Sequence, residues 1–221
     1  MSRHALFSLA FASISLFACK PGPAPEATER GPSAAEVAPA SSAPREFTVS
    51  LETTEGEVLI DVHREWAPAG ADRFYELVKS GYFEDVAFFR VIDGFMAQTG
   101  IHGDPAVSAT WRDRRIADDP VRESNSRGAV SFAMAGPGTR TTQFFINLVD
   151  NSRLDSMGFA AFGKVRDMSV VDRLYSGYGE GAPRGRGPDQ ARIQQEGNAY
   201  LRASFPELDY IRSARVVAET R

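Results

Sequence analysis

Residues 88–98, with the sequence FFRVIDGFMAQ, place one guanidinium and one carboxamide among large apolar side chains. A cation in apolar surroundings costs free energy unless another group pairs with it, so two interpretations of Arg90 are open. In the first, Arg90 lies on an edge strand and extends its head group to solvent. In the second, Arg90 and Gln98 point together into a half-open apolar pocket. The second requires a connection wider than a two-residue turn at Asp93-Gly94, because that turn would direct Gln98 to the opposite face.

Two further stretches follow along the chain: residues 131–147, SFAMAGPGTRTTQFFIN, and residues 154–165, LDSMGFAAFGKV. In this order, the three stretches resemble the signature of the cyclophilin family of peptidyl-prolyl isomerases, and the resemblance extends from about Glu46 to Val217. It implies a mainly β fold: an eight-stranded closed antiparallel β-barrel capped by two α-helices, here with an extra helix near the C-terminus. It also implies rotation of X-Pro bonds in proline-containing polypeptides, with no cofactor and no metal.

The resemblance also implies roles for individual residues. Arg90 matches the catalytic arginine, and Gln98 matches the glutamine that holds the substrate carbonyl. The apolar wall of the proline pocket is matched by Phe95, Met96, Phe145 and Leu154. The groove for the residues before the proline is matched by Ala133, Met134 and Gln143, and Phe159 falls at a further position of the substrate pocket.

The chain departs from the common family pattern at four positions. Phe89 stands where a His often precedes the arginine, and Phe159 replaces a pocket His. Met134 replaces a common Asn, at a position where mainly the backbone is used. Arg153 aligns with a Trp. We expect these departures to affect substrate preference more than the reaction.

The reaction itself makes modest chemical demands. Rotation about an X-Pro bond crosses a barrier of roughly 18–20 kcal/mol without breaking any bond, so it requires neither a nucleophile nor a metal. The planar amide is more polar than the twisted one, and an apolar pocket therefore favours the twisted transition state. The planar fork of an Arg can then donate a hydrogen bond to the prolyl nitrogen. The alternative is a non-catalytic peptide-binding or chaperone module on the same barrel, which needs the apolar pocket but not Arg90.

Composition limits the remaining possibilities. The chain has 221 residues, of which 43% are apolar, so we expect one domain with appendages. Its formal net charge of −4 gives no reason to expect a nucleic-acid partner. The single Cys excludes an internal disulfide. We expect the domain to be a monomer.

The N-terminus carries a targeting pattern. Residues 1–18 have a basic start and a short apolar run, which predicts a signal peptide that is too short to span a bilayer. Residues 16–19, LFAC, resemble a bacterial lipoprotein box, which implies lipidation of Cys19; the alternative is an ordinary secretory signal with an incidental Cys. Residues 19–45 are rich in Pro, Ala, Glu and Ser and predict a disordered, lipid-anchored linker. Residues 46–221 form the predicted isomerase domain, which we expect to be exported to the periplasm or cell envelope and held at the membrane by its anchor.

Period-2 and helical patterns divide the domain. Alternating runs around residues 55–57 predict a β-hairpin, and a helix is predicted from Pro68 to Gly81. Further strands are predicted over residues 86–92, 95–98, 129–133, 143–147, 161–165 and 214–217. A capping box at Ser169 and Asp172 predicts a second helix, and residues 188–205 predict the extra one.

Two segments are predicted to be loops. Residues 100–128 contain the acidic pair Asp118 and Asp119, which is more consistent with a solvated turn than with a metal site. Residues 177–187 are rich in Gly, Pro and Arg. No strand leads into this second segment, so we do not expect it to bind phosphate.

Overall fold

The structure is a computed structural model that describes residues 42–220. Its nine strands are β1 (Glu46–Thr53), β2 (Gly56–His63), β3 (Val86–Ala87), β4 (Arg90–Ile92), β5 (Met96–Thr99), β6 (Ala129–Phe132), β7 (Phe144–Asn147), β8 (Ala161–Val165) and β9 (Tyr210–Thr220). Its three α-helices are α1 (Pro68–Lys79), α2 (Pro105–Trp111) and α3 (Gln190–Ser204). In addition, residues 152–157 and 171–173 form short 3-10 turns.

The strands form one curled antiparallel sheet in the order β3-β9-β1-β2-β8-β6-β7-β5-β4. The strands at its two ends, β3 and β4, are parts of a single stretch of chain, residues 86–92. β3 pairs with β9 and β4 pairs with β5, and Phe88 and Phe89 separate them. The mainly β, antiparallel fold is therefore confirmed, with nine strands in place of the predicted eight because this stretch changes partners halfway along.

The predicted hairpin and the first helix are confirmed. β1 and β2 pair along their whole length across a two-residue turn, from Glu46 opposite His63 to Thr53 opposite Gly56. α1 begins at Pro68 and ends before Gly81, whose positive φ terminates the helix.

α1 fills the interior of the curled sheet. The ring of Phe74 lies 5.0–5.6 Å from the rings of Phe83, Phe144 and Phe162, and none of these side chains reaches solvent. Aromatic rings at this separation add about 0.5–1.5 kcal/mol per pair beyond the burial of their surface. The main core is thus an aromatic cluster that joins the helix to β7 and β8.

A second core lies outside the first and depends on α3. It consists of Ala87, Phe89, Ile101, Ile193, Tyr200, Leu201 and Leu208. Phe89, at the break between β3 and β4, is fully buried there. The extra helix predicted near the C-terminus is confirmed, but Gly197 interrupts it with a φ of 59° and a ψ of −145°.

Two predictions of helical structure were wrong. Ser169 does not cap a second helix: its backbone N–H and hydroxyl donate to Asp167, and only the 3-10 turn Val171–Arg173 forms. The apolar run is too short there to repay helix nucleation. Conversely, α2 lies in the predicted loop 100–128. The Asp104 side chain accepts a hydrogen bond from the Ala106 N–H and Pro105 begins the helix, which is a standard start signal.

The prediction of a solvated acidic pair holds for Asp118, whose side chain is 36% exposed, but not for Asp119, whose side chain is only 6% exposed. Its carboxylate accepts hydrogen bonds from the Ala69 and Gly70 N–H groups at the start of α1, both at 2.9 Å, and pairs with Arg140 at 3.1 Å. Asp118 lies 3.3 Å from Arg140 on its other side. The two carboxylates therefore stabilise the helix N-terminus and a buried guanidinium.

The predicted signal peptide, Cys19 and the linker up to residue 41 lie outside the described residues. The predicted linker nevertheless ends too late. Ala43 is buried, and its N–H donates to Asp72 at 2.8 Å. The Arg45 carbonyl accepts from the Arg64 N–H at 2.9 Å. The folded domain therefore begins by Ala43, because these residues have specific backbone partners.

Candidate active site

A half-open pocket of about 430 Å³ lies where β4, β5 and β7 meet the 3-10 turn at residues 152–157. All ten pocket residues proposed from the sequence line it: Arg90, Phe95, Met96, Gln98, Ala133, Met134, Gln143, Phe145, Leu154 and Phe159. The structure therefore brings together side chains from three stretches that are far apart in the sequence. Cys19, the predicted lipidation site, lies outside the described residues.

The pocket has an apolar wall. Met96 on β5, Phe145 on β7 and Leu154 on the 3-10 turn are buried and pack against one another. Phe95 and Phe159 are partly exposed and complete the wall at its opening. The Phe159 ring lies edge-on to the Phe145 ring at 5.6 Å. The arrangement offers an apolar, aromatic surface of the kind that accommodates a small apolar ring.

The polar part of the pocket depends on the register of β4 and β5. Arg90 lies directly opposite Gln98, and residues 93–95 form a three-residue connection. The wider connection that the pocket interpretation requires is thus present. The Arg90 Nη1 donates to Gln98 Oε1 at 2.9 Å, and Gln98 Nε2 donates to Gln143 Oε1 at 2.9 Å. The Arg90 side chain is only 19% exposed, which contradicts the interpretation as a solvent-directed edge-strand Arg.

The charge of Arg90 is balanced by a residue that the sequence analysis missed. Arg90 Nε and Nη2 donate to the two carboxylate oxygens of Glu180, both at 2.7 Å. This fork-to-fork pairing is the strongest geometry available to an arginine and a carboxylate. Arg90 donates hydrogen bonds to the ionised carboxylate of Glu180. These bonds hold the pKa of Glu180 below its ordinary value. The pocket therefore contains an ion pair instead of an isolated cation.

Glu180 belongs to a segment, residues 177–189, that we call the Glu180 loop. The loop also places Gly181, Ala182, Pro183 and Arg184 on the pocket lining. Two sequence signals could have identified Glu180. It is the only acidic residue between Gly177 and Gly187, and a cation predicted inside an apolar pocket requires a partner.

The unusual residues of this chain lie in different surroundings. Met134 and Phe159 line the pocket. The Arg153 guanidinium lies 4.9 Å from the centre of the Phe95 ring, beside the apolar wall. Phe89 does not face the pocket, because it packs in the second core. Met134, Phe159 and Arg153 are therefore placed to influence peptide binding. Phe89 is placed to hold α3.

Within residues 42–220, no group of three or more His, Cys, Asp or Glu side chains is arranged to hold a metal. The chemistry that the pocket offers is burial of an apolar group beside fixed hydrogen-bond donors. Arg90 supplies the charged donor. Gln98 and Gln143 form a short chain of amides that leads away from it along the groove.

Comparison with known proteins agrees with this arrangement. The family model described as cyclophilin type peptidyl-prolyl cis-trans isomerase/CLD matches residues 48–195. Peptidyl-prolyl cis-trans isomerase-like 1 of Rhizopus delemar is 38% identical over 135 residues, which cover 57% of this chain and 78% of that protein. Peptidyl-prolyl cis-trans isomerase A of Dickeya dadantii is 36% identical over 144 residues, which cover 62% of this chain and 75% of that protein.

A solved structure shows the same fold. The cyclophilin type peptidyl-prolyl cis-trans isomerase of Cryptosporidium parvum superposes with a TM-score of 0.58 at 21% identity, covering 79% of this chain and 99% of that chain. The same protein was also crystallised in the presence of the dipeptide Ala-Pro, and that structure superposes with a TM-score of 0.57.

Proposed function

Because the chain belongs to the cyclophilin-type peptidyl-prolyl cis-trans isomerase family and is therefore an isomerase of X-Pro bonds, we propose that Arg90 and Gln98 carry its catalysis. One observation supports this assignment above the others. The Arg90 Nη1 lies within hydrogen-bond distance of Gln98 and 3.9 Å from the Sδ of Met96, so a charged donor borders the apolar wall directly.

The apolar wall acts on the polarity of the substrate amide. The planar X-Pro amide separates charge by resonance, and the twisted transition state loses much of that separation. A proline ring held against Phe95, Met96, Phe145 and Leu154 lies in surroundings that solvate the planar amide poorly. The planar ground state is therefore disfavoured relative to the twisted state, which lowers the barrier to rotation.

Arg90 stabilises the twisted state directly. When the amide twists, the prolyl nitrogen recovers a lone pair that can accept a hydrogen bond. A charged hydrogen bond contributes about 1.5–3 kcal/mol, which corresponds to roughly a ten- to hundredfold increase in rate. Gln98 holds the substrate carbonyl, so that rotation occurs on one side of the bond while the other stays fixed.

The groove beside Gln143 receives the residues before the proline. Ala133 and Gln143 line it, and Met134 offers backbone hydrogen-bonding groups. The Ala133 N–H is already donated to the Gln143 carbonyl at 2.9 Å, which fixes the spacing of the two sides of the groove. The substrates are proline-containing polypeptides in extended form, because an extended backbone can follow such a groove.

Replacement of Arg90 tests the catalytic assignment. Arg90→Ala should lower kcat/KM for a short X-Pro peptide about ten- to a hundredfold, and Arg90→Lys should restore little of it because Lys lacks the planar fork. Turnover is measured by a protease-coupled or NMR exchange assay. Arg166→Ala is the matched control, since it removes an exposed Arg that pairs with Asp61 outside the pocket. Near-native turnover by both Arg90 variants would show that catalysis does not depend on Arg90, whereas peptide binding without turnover in the native protein would identify a non-catalytic binding module.

We also propose that the isomerase assists the folding of exported proteins and is tethered to a membrane through a lipid on Cys19. The support comes from the N-terminal sequence pattern: a short apolar run, a lipoprotein-like box and a linker rich in Pro and Ala. Among residues 42–220, no helix is long and apolar enough to cross a bilayer. The monomeric domain would then depend on its anchor for membrane association.

The anchor is tested by mass spectrometry of the mature N-terminus and by cell fractionation. We expect a diacylated or triacylated Cys19 and recovery with the membrane fraction. Cys19→Ser should abolish lipid labelling and release or stall the protein. An unmodified Cys19 in the mature chain would contradict lipidation, and a chain that keeps residues 1–18 in the cytoplasm would contradict export as well.

A further inference from the structure

The two edges of the Arg90 guanidinium have different surroundings. The Nη1 group contacts Gln98 Oε1 at 2.9 Å and Met96 Sδ at 3.9 Å, and both of these residues line the pocket. The opposite edge, formed by Nε and Nη2, is held by the Glu180 carboxylate at 2.7 Å on each nitrogen. The carboxylate therefore determines which nitrogen faces the proline wall.

We propose that Glu180 is a positioning residue for the isomerase reaction, which orients Arg90 so that Nη1 donates to the twisted amide. An unpaired Arg side chain samples many rotamers, and fixing it costs conformational entropy. In this protein the Glu180 pairing fixes the guanidinium before the substrate binds. The inference rests on the proposed role of Arg90 and adds to it a residue outside the three sequence motifs.

The donor count shows that Glu180 leaves a donor for the substrate. A guanidinium has five N–H donors, and Glu180 and Gln98 together occupy three of them. Besides Gln98, Nη1 contacts the Met96 sulfur at 3.9 Å, and a thioether sulfur is a weak acceptor. A prolyl nitrogen can replace that contact while the pair between Arg90 and Glu180 stays intact.

The backbone around Glu180 is itself fixed. The Glu180 carbonyl accepts from the Gly187 N–H at 2.9 Å, the Gly181 carbonyl accepts from the Gly185 N–H at 3.0 Å, and the Gly181 N–H donates to Glu180 Oε1 at 2.9 Å. A Cβ at Gly185 would clash with the Glu180 carbonyl oxygen, so this close approach requires a glycine. The Glu180 loop is therefore built to hold one carboxylate in one place.

The central test compares Glu180→Ala, Glu180→Gln and the native protein in an X-Pro peptide assay that resolves kcat from KM. We expect kcat to fall roughly 5- to 50-fold in Glu180→Ala, because a small misplacement of a catalytic group costs this much, and KM to change less than about twofold. Glu180→Gln keeps one acceptor for the guanidinium and should lie between the two. The Arg90 Nε–H resonance in NMR should lose its protection from exchange in Glu180→Ala.

The matched control is Glu196→Ala. It removes a carboxylate that forms the same forked pair with Arg192, at 2.7 and 3.0 Å, and that does not line the pocket. This variant should keep native kcat. A similar loss in Glu196→Ala would show that the effect of Glu180→Ala is a general consequence of losing a surface ion pair, and would overturn the proposal.

A double-mutant cycle separates positioning from a direct effect on the substrate. If Glu180 acts through Arg90, the variant lacking both side chains should be no slower than Arg90→Ala alone. If Glu180→Ala lowered kcat by the same factor in the native protein and in Arg90→Ala, the proposal would be overturned. A rise in kcat in Glu180→Ala would also overturn it, because the carboxylate would then obstruct the reaction. If Arg90→Ala itself were fully active, the catalytic role of Arg90 would fail first, independently of Glu180.

Discussion

The apolar wall of the pocket and the Glu180 loop are both needed to build the site, but they are encoded in different ways. The wall comes from short strands and a 3-10 turn whose residues are buried together. The loop has no apolar period, and its conformation depends on backbone hydrogen bonds between glycines and Glu180. A wall of this kind can be recognised from a motif, whereas the loop acquires its function only when folding brings it against Arg90.

The comparison extends to the two cores behind these regions. The main core joins α1 to the sheet, and the second core joins α3 to the break between β3 and β4. Phe89 lies in the second core, directly before Arg90 in the chain. The structure therefore links α3 to the chain at Phe89, directly before β4, through packing, and links the Glu180 loop to Arg90 of β4 through charge.

The largest effect that we expect is a difference in stability between two variants, Phe89→Ala and Phe159→Ala. Phe89→Ala should lower the free energy of unfolding by about 3–5 kcal/mol, because it leaves a cavity in the second core. Phe159→Ala removes a partly exposed ring at the pocket opening and should weaken peptide binding with a much smaller loss of stability. Urea denaturation and peptide KM distinguish them. Equal losses of stability would show that Phe159 contributes as much to the stability of the fold as Phe89, and would contradict this expectation.

A smaller effect is expected from the break in α3. Gly197 has a positive φ, and a Cβ at this position would clash with the Gly103 carbonyl oxygen, so there is no room for a side chain. Gly197→Ala should therefore destabilise the protein by about 3–4 kcal/mol, measured as the free energy of unfolding in urea.

Gly138→Ala is the control for this change. Gly138 also has a positive φ, of 67°, but a Cβ added there would meet no atom within 4 Å. Its replacement should cost only the backbone strain, about 1–2 kcal/mol. Similar losses of unfolding free energy in the two variants would show that the Gly103 backbone can move away from a side chain at position 197 at little cost.

The smallest effect concerns pH. We expect turnover to be nearly constant between about pH 5.5 and 8, because no His among residues 42–220 lines the pocket. The hydrogen bonds from Arg90 hold the pKa of Glu180 below the ordinary glutamate value of 4.5. Its contribution to stability is therefore fully present above that value and is lost only as the pH falls through the lowered pKa.

A pH profile of kcat with the fold monitored by circular dichroism checks this expectation. Burial lowers the pKa of His102, but this residue packs against Tyr82 and does not line the pocket. A clear inflection near pH 6.5 in an otherwise folded protein would show that a histidine is coupled to the site.

Much of this architecture is accessible from the sequence, and the exceptions have physical causes. The hairpin β1–β2, α1 and the pocket residues follow from periodicity and motif. The position of Arg90 directly opposite Gln98 does not follow from periodicity, because it depends on whether two or three residues connect β4 to β5. α2 was missed because Asp104-Pro105 begins a helix as readily as it forms a turn. Glu180 was missed because its partner is 90 residues away.

One consequence of the sheet order concerns how the chain reaches this structure. β9 lies between β1 and β3, and a hydrogen bond from Thr220 to Glu46 joins residues that are 174 positions apart. Until β9 is available, β1 has one open edge and β3 has no strand partner, and open strand edges invite association between chains. Contacts of such long range also slow folding to the millisecond-to-second range. The sheet is therefore complete only when the C-terminal strand has paired with both β1 and β3.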